Sequence, residues 1–379
     1  MLRIAFNAWF LNKEETGTGQ YSTRVLDAFR RLEAGAQSLA SLLHVISPSH
    51  KPSPIGRLGR NLSKVWFEQA LFPLECRKAG ADIAFVPYFA PPLFSPAPVV
   101  VTIHDLIPLI FPEYAYSPLV KLYNRLVSAA ARKAALIVAD SHSTRNDVIR
   151  ILNVPPSRIQ VIYPGVDESL GPVEDEGTLQ ATRKRYNLPE EFLLYLGGFD
   201  HRKNIGVLLE AYAILWKRLG GRVPKLVLAG KLPARETPAL LNPRRLVEEC
   251  DLGDRVHFTG WVAEEDKPAL YSLALAFLYP SLYEGFGLPP LEAMACGCPV
   301  LASEASSLPE VIGDGALLID PHQPEAWADK MEMVILNRDL AAELRERGIR
   351  RVKAFSWLKT ARELWEAFNR LLTAPELSP

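Results

Sequence analysis

The feature that most constrains this chain is an alternation of short apolar runs with amphipathic stretches, played through twice. In the first half the runs are residues 2–10 (LRIAFNAWF), 42–47, 81–87, 98–105, 135–140 and 159–165. Helical patterns over 19–34 and 117–135 lie between them. The second half repeats the scheme at 192–198, 225–230, 256–260, 275–281, 298–303 and 316–320, with a long helical pattern at 204–220. Continuous apolar strands separated by helices build parallel sheets covered on both faces. The pattern relaxes around 165–177 into GVDESLGPVEDEG, which reads as an interdomain linker. The expectation is α/β: two doubly wound domains, 1–168 and 169–355, facing across a cleft, with ligands beyond the carboxyl ends of the strands. A last helix over 356–373, with Trp357, Leu364, Trp365, Phe368 and Leu372 in one stripe, is expected to pack back toward the first domain.

At 379 residues the chain is long for one core and suits two. Lys plus Arg and Asp plus Glu both number 43, so nucleic-acid binding gains no support from net charge. Cys76, Cys250, Cys296 and Cys298 match no zinc spacing and read as reduced cytosolic thiols. The N-terminus reads as a first strand rather than a signal peptide, and no run reaches the roughly 18–20 apolar residues of a spanning helix. Residues 51–67 carry Lys51, Arg57, Arg60 and Lys64 with no acid. That segment could lie on an anionic membrane with Val65, Trp66 and Phe67 in the interface, serve as an acceptor-binding loop, or simply be solvated.

Chemistry concentrates after two strands of the second half. In YEGFGLPPLEAMACG, Glu284 and Glu292 flank the entrance to a helix that should start near Pro289 or Pro290. Gly285 and Gly287 leave room for a ligand against the backbone, and the helix N-terminus favours an anion such as phosphate. Two carboxylates beside an anion site can accept hydrogen bonds from the hydroxyls of sugar rings on either side of a diphosphate, which describes a nucleotide sugar. The plainer alternative is a helix-supporting Glu292 and a solvated Glu284. In GGFDHRKN, Gly197 and Gly198 suggest a tight turn, and Arg202 and Lys203 precede a helix near Asn204. Cations there oppose the helix dipole, so neutralising a diphosphate leaving group is a better reason for them than chance.

In the first half, Gly17, Thr18 and Gly19 follow strand one and open a helix, suggesting backbone approach to phosphate. Ser22 stands where a dinucleotide fingerprint needs its third glycine, and no acid closes strand two, so a nicotinamide oxidoreductase is disfavoured. His104 and Asp105 come directly after a strand and are candidates for touching the transferred group, with a structural histidine as the alternative.

Together these stretches, with residues 139–167 and LAG followed by VHFTGWV, resemble the retaining glycosyltransferases of family four, which have the GT-B fold of two facing Rossmann-like domains. The form of the Arg-Lys motif resembles bacterial mannosyltransferases of surface-polysaccharide assembly. The resemblance implies that Arg202 and Lys203 bind the donor diphosphate, helped by Gly19, Gly198 and the backbone at Gly285, Phe286, Gly287 and Leu288. It implies that Glu292 takes the ribose, Glu284 the donor sugar, His104 that sugar's C6 end, and Trp261 and Val262 the base. Many members place the arginine several residues before the lysine; here the two adjoin, which weakens the carry-over for Arg202.

The implied reaction is hexose transfer with retention, in which the departing diphosphate helps deprotonate the acceptor hydroxyl. GDP-mannose is favoured over UDP-glucose and UDP-N-acetylglucosamine, with a glycan or lipid-linked acceptor, no cofactor and no metal. The expected location is the cytoplasm, at the inner face of the membrane if 51–67 touches it. Synthesis on a soluble acceptor and non-catalytic nucleotide-sugar binding are the competing functions.

Overall fold

The computed structural model describes all residues except 1, 12, 14–15, 36–40, 49–61, 116 and 374–379. The chain forms two compact units, Met1–Gly165 with Phe355–Pro379, and Val166–Ala354.

The first unit holds a six-stranded parallel sheet of β1 (Leu2–Asn7), β2 (Ser41–Ile46), β3 (Ile83–Val86), β4 (Val99–Ile103), β5 (Leu136–Ala139) and β6 (Ile159–Val161). Its order is β2-β1-β3-β4-β5-β6. The middle strands are apolar on both faces because helices cover both sides, as continuous runs require. Strand order reverses between β1 and β3, so the loops leaving those two strands diverge at their carboxyl ends.

The helix Trp357–Thr373 returns to this unit and completes one face of its core. Phe368 stacks on Phe29 with centroids 6.1 Å apart and lies 5.3 Å from Phe85. Leu372, expected in the same stripe, is 44% exposed; the stripe runs out at Leu371, which packs against the core instead. Gly165 shows why the chain can cross here. A Cβ at that position would lie 2.2 Å from the Trp357 backbone nitrogen.

The second unit has β7 (Phe192–Leu196), β8 (Lys225–Ala229), β9 (Val256–Gly260), β10 (Ala276–Tyr279), β11 (Val300–Ser303) and β12 (Leu317–Ile319), again all parallel. Their order, β12-β11-β10-β7-β8-β9, is that of a dinucleotide-fold sheet, with the reversal between β7 and β10. The relaxed stretch at 165–177 is not all linker, since the helix Glu176–Arg185 starts within it on an Asp175 cap that accepts from Thr178 N. Among the described residues no helix is long and apolar enough to cross a membrane.

The basic segment at 51–67 is described only from residue 62 onward. There the expected interfacial trio does not hold together. Phe67 is buried in the first core and rests on Trp9 and Phe72, so it cannot enter a membrane interface; Trp66 alone is strongly exposed, at 68%.

Candidate functional site

In the second unit, chemistry-bearing side chains meet where the strand order reverses. After β7 the chain passes Gly197 and Gly198 into a single 3-10 turn, His201–Lys203, and then the helix Ile205–Leu219. Neither glycine has positive φ, so the expected tight turn is not their reason. The close approach constrains the neighbouring strand end instead: a Cβ on Gly230 would lie 2.0 Å from the Gly197 carbonyl oxygen, which accounts for Gly230. The left-handed residue is Asn204, at φ 55°, a conformation asparagine tolerates. Its side-chain amide donates to the carbonyls of Pro280 at 3.1 Å and Pro321 at 2.7 Å. Leu282 N donates to Arg202 O at 2.7 Å, so the loops after β7 and β10 are tied together.

Those ties bring Arg202 and Lys203 onto Glu284. The Lys203 ammonium donates to Glu284 Oε1 and to the Tyr279 hydroxyl, both at 2.7 Å. Arg202 lies 2.9 Å from the same carboxylate oxygen and, on its other side, 2.9 Å from Asp200. Tyr279 OH also donates to Glu284 Oε1, at 3.0 Å. Lys203 and Glu284 are both 8% exposed. The cluster holds two cations and two carboxylates, so an anion entering it meets no uncompensated negative charge. Ion pairing also explains how a basic pair is tolerated beside a helix start.

Burial alone would raise the Glu284 pKa, but Lys203 and Arg202 outweigh it and hold the carboxyl down at about 2. Burial lowers the Lys203 pKa and Glu284 opposes that shift. Both members are charged, because each supplies the counterion that makes the other's burial tolerable. A solvated Glu284 is therefore not what the chain builds.

The loop carrying Glu284 is clamped from behind by two serines that sequence reasoning missed. Ser306 Oγ accepts from Glu284 N at 2.8 Å, and Ser307 Oγ bonds Glu284 O at 2.9 Å and Phe286 O at 2.8 Å. Their signal in the sequence was only a Ser-Ser pair just beyond an apolar strand. Gly287 has φ 105°, and a Cβ there would sit 2.6 Å from Leu308 Cδ2, which accounts for that glycine. Helix Leu288–Ala295 follows, with prolines in its first turn.

Glu292, on this helix, has different neighbours. Tyr271 OH donates to its Oε2 at 3.3 Å. Burial raises its pKa and Glu264 and Asp167 push the same way, against Lys267. Val262 is buried, and Trp261, after β9, is 61% exposed.

In the first unit, His104 and Asp105 do follow β4. His104 Nδ1 lies 2.6 Å from Asp140 Oδ2, and Nε2 lies 3.1 Å from the Pro87 carbonyl oxygen. Both partners are acceptors, so both ring nitrogens must carry protons for the two bonds to form. Burial would lower the His104 pKa, but Asp140 and, to a smaller extent, Asp105 raise it above its ordinary value. The ring is an imidazolium wedged against Tyr21, at 4.6 Å between centroids. Asp140, buried after β5, was not anticipated. Asp105 accepts from Ile107 N at 2.9 Å. Gly17 and Thr18 begin the helix Gly17–Gly35. The Gly19 amide, expected to face phosphate, donates to Thr16 Oγ1 at 3.1 Å, and the Lys13 carbonyl fills the space beside its Cα.

Comparison with known proteins adds a family. Residues 180–351 match the family described as glycosyl transferases group 1, and residues 28–170 match glycosyltransferase family 4. The chain is 36% identical over 276 residues to the serotype-specific mannosyltransferase WbdA of Escherichia coli, an alignment covering 72% of this chain and 33% of that protein. It therefore spans about a third of the length of the WbdA relatives it matches. It is 31% identical to the O-antigen chain mannosyltransferase B of Escherichia coli over 98% of this chain and 100% of that one. Among solved structures, sucrose-phosphate synthase from Thermosynechococcus elongatus superposes with a TM-score of 0.73 at 22% identity, covering 98% of this chain and 99% of that one, which shows the fold alone.

Proposed function

The chain belongs to the glycosyltransferase family 4 and group 1 enzymes, and from that membership we propose that it moves a hexose with retention of configuration from a nucleotide sugar to a saccharide acceptor. The favoured donor is GDP-mannose, in keeping with two relatives named as mannosyltransferases. The observation that carries the reading is the Lys203–Glu284–Arg202 cluster at the β7/β10 reversal, where sheets of this order receive nucleotides.

In this reading the donor diphosphate lies against Lys203 and Arg202. The bond from the sugar's anomeric carbon to the phosphate oxygen breaks as the bond to the acceptor oxygen forms on the same face. The acceptor's proton passes to the departing diphosphate. Pre-placed cations stabilise the charge that grows on that leaving group, so the reaction needs no metal. Glu284 keeps its bonds to Lys203 and offers its remaining carboxylate capacity to the donor sugar, Glu292 takes the ribose and Trp261 the base. His104, as a double donor to Asp140 and Pro87, acts as a fixed positive charge rather than as a base. The acceptor is a glycan or lipid-linked saccharide, and the enzyme works in the cytoplasm.

A thermal-shift series with GDP-mannose, UDP-glucose and UDP-N-acetylglucosamine, followed by mass spectrometry of donor hydrolysis, tests the reading. The expected result is stabilisation by GDP-mannose and its slow hydrolysis, both lost in Lys203→Ala. A series in which no nucleotide sugar shifts the melting temperature rejects it.

A further inference from the structure

The first sheet has its own reversal, between β1 and β3, and the residues leaving those strands build a second polar site. Phe10 follows β1, and Tyr88 follows β3. Between them stands the ammonium of Lys64, 5.3 Å from the Phe10 ring centre, 5.7 Å from that of Tyr88 and 5.1 Å from that of Tyr123. Beneath it lies Glu68, fully buried, with Oε1 3.5 Å from the Lys64 nitrogen and Oε2 accepting from Tyr123 OH at 2.9 Å. Glu68 belongs to a π-helical stretch, Phe67–Leu71, of the rare kind that re-aims side chains at working sites. Lys13 lies 4.9 Å from the centre of the same Phe10 ring. At the end of β1 itself, Asn7 Oδ1 accepts from Tyr88 OH at 3.1 Å, while its buried Nδ2 has no hydrogen-bond partner.

A lysine that merely solvates a surface needs none of this. Three rings and a buried carboxylate fix one head group that water would hold more cheaply. An ammonium immobilised in advance loses little side-chain freedom when a ligand arrives, which is how binding sites are made strong. The groups presented are proton donors: two ammoniums, with an unused amide behind them. The single carboxylate lies under Lys64: Oε2 accepts from Tyr123, and Oε1, which has no hydrogen bond, is neutralised by the ammonium 3.5 Å away. A sugar hydroxyl wants both a donor and an acceptor; a phosphate wants only donors.

We infer that the reversal between β1 and β3 is an oxyanion-binding site, in which Lys64 and Lys13 take a phosphate group carried by the molecule that receives the sugar. Its role as an acceptor site rests on the proposed transferase activity; the binding of phosphate does not.

Titration calorimetry of inorganic phosphate into the full chain separates the two. The expected isotherm has a Lys64-dependent site, whose dissociation constant rises about 10-fold or more in Lys64→Gln, and a Lys203-dependent site abolished in Lys203→Ala. A Lys64→Gln isotherm superposable on the wild type overturns the inference. An unchanged isotherm in Lys203→Ala overturns the donor-site reading and leaves Lys64 standing. Lys64→Gln takes a partner from the buried Glu68, so its fold is checked first by urea denaturation, and Lys13→Gln, which leaves that pair intact, should weaken the same phosphate site. Methyl α-mannoside is the neutral control: if Lys64→Gln loses binding of that sugar while phosphate binding persists, the oxyanion chemistry is wrong. Sedimentation with phosphatidylglycerol vesicles that depends on Lys64 assigns the phosphate to a lipid headgroup. Phosphate binding without sedimentation assigns it to a soluble ester.

Discussion

Lys203 and Glu284 meet at 2.7 Å although 81 residues separate them along the chain. Each closes the first loop after a strand, and the two strands, β7 and β10, are neighbours only because the sheet order reverses between them. The pair is thus a product of topology, and its chemistry follows. In the proposed reading, the cation that takes the diphosphate is held in place beforehand by the carboxylate that takes the sugar.

Removing Lys203 should separate binding from folding. Lys203→Ala leaves Glu284 with Arg202 and Tyr279, so the protein should remain folded. Turnover should fall about 10²-fold or more, as when one preorganised donor to a developing anion is lost. Near-normal turnover in a steady-state assay would count against the placement of the diphosphate.

Glu284→Ala should behave differently. It leaves Arg202 and Lys203 with one carboxylate, Asp200, which pairs with Arg202, and breaking a buried pair from one side typically costs about 3–5 kcal/mol. Urea denaturation should show that loss, whereas Glu284→Gln, which keeps the volume, should lose less stability and still lose activity.

The two pKa shifts predict opposite pH limits. Glu284 is depressed from 4.5 to about 2, so its stabilising contribution is complete above about 4.5 and fades as pH falls toward 2. His104 is raised above 6.5, so its contribution is complete below that value and fades as pH rises through the folded pKa. In Asp140→Asn the alkaline loss should disappear and the His104 pKa should drop, read from the ring nitrogen shifts by NMR. An unchanged His104 pKa in that variant would show that Asp140 does not hold the proton.

The central strands were legible because they are continuous apolar runs, while outer ones such as β6 (IQV) and β9 (VHFTG) carry polar residues and were legible from their place in the alternation. The crossing back of the last helix was legible too, from its stripe, though not the point at which Leu372 turns outward. Candidate residues could be found by type and by position after a strand. Their electrostatic state could not. Nothing along the chain says that Asp200 and Glu284 neutralise Arg202 and Lys203, or that Asp140 and a proline carbonyl consume both nitrogens of His104, because such pairings depend on strand order. For the same reason Lys64 read as one of a run of surface cations, when three rings from separate segments enclose it.

Trp261 supplies a prediction in which stability and affinity part company. It follows Gly260, whose φ of 74° turns the chain as β9 ends, and the ring is 61% exposed while the adjacent Val262 is buried. An indole that large left in water contributes little to the core, so Trp261→Ala should leave the urea midpoint within error of the wild type. If the ring is a platform for the donor's base, its loss forfeits a stacking contact worth about 1–3 kcal/mol, which raises the donor KM about 5- to 150-fold. The kcat should hold, because the base lies far along the donor from the bond that breaks and is held equally in ground and transition states. Trp261→Phe should recover most of the affinity, since a smaller π-face still stacks. A kcat that falls with KM unchanged would place Trp261 near the transferred sugar instead and would move the base elsewhere.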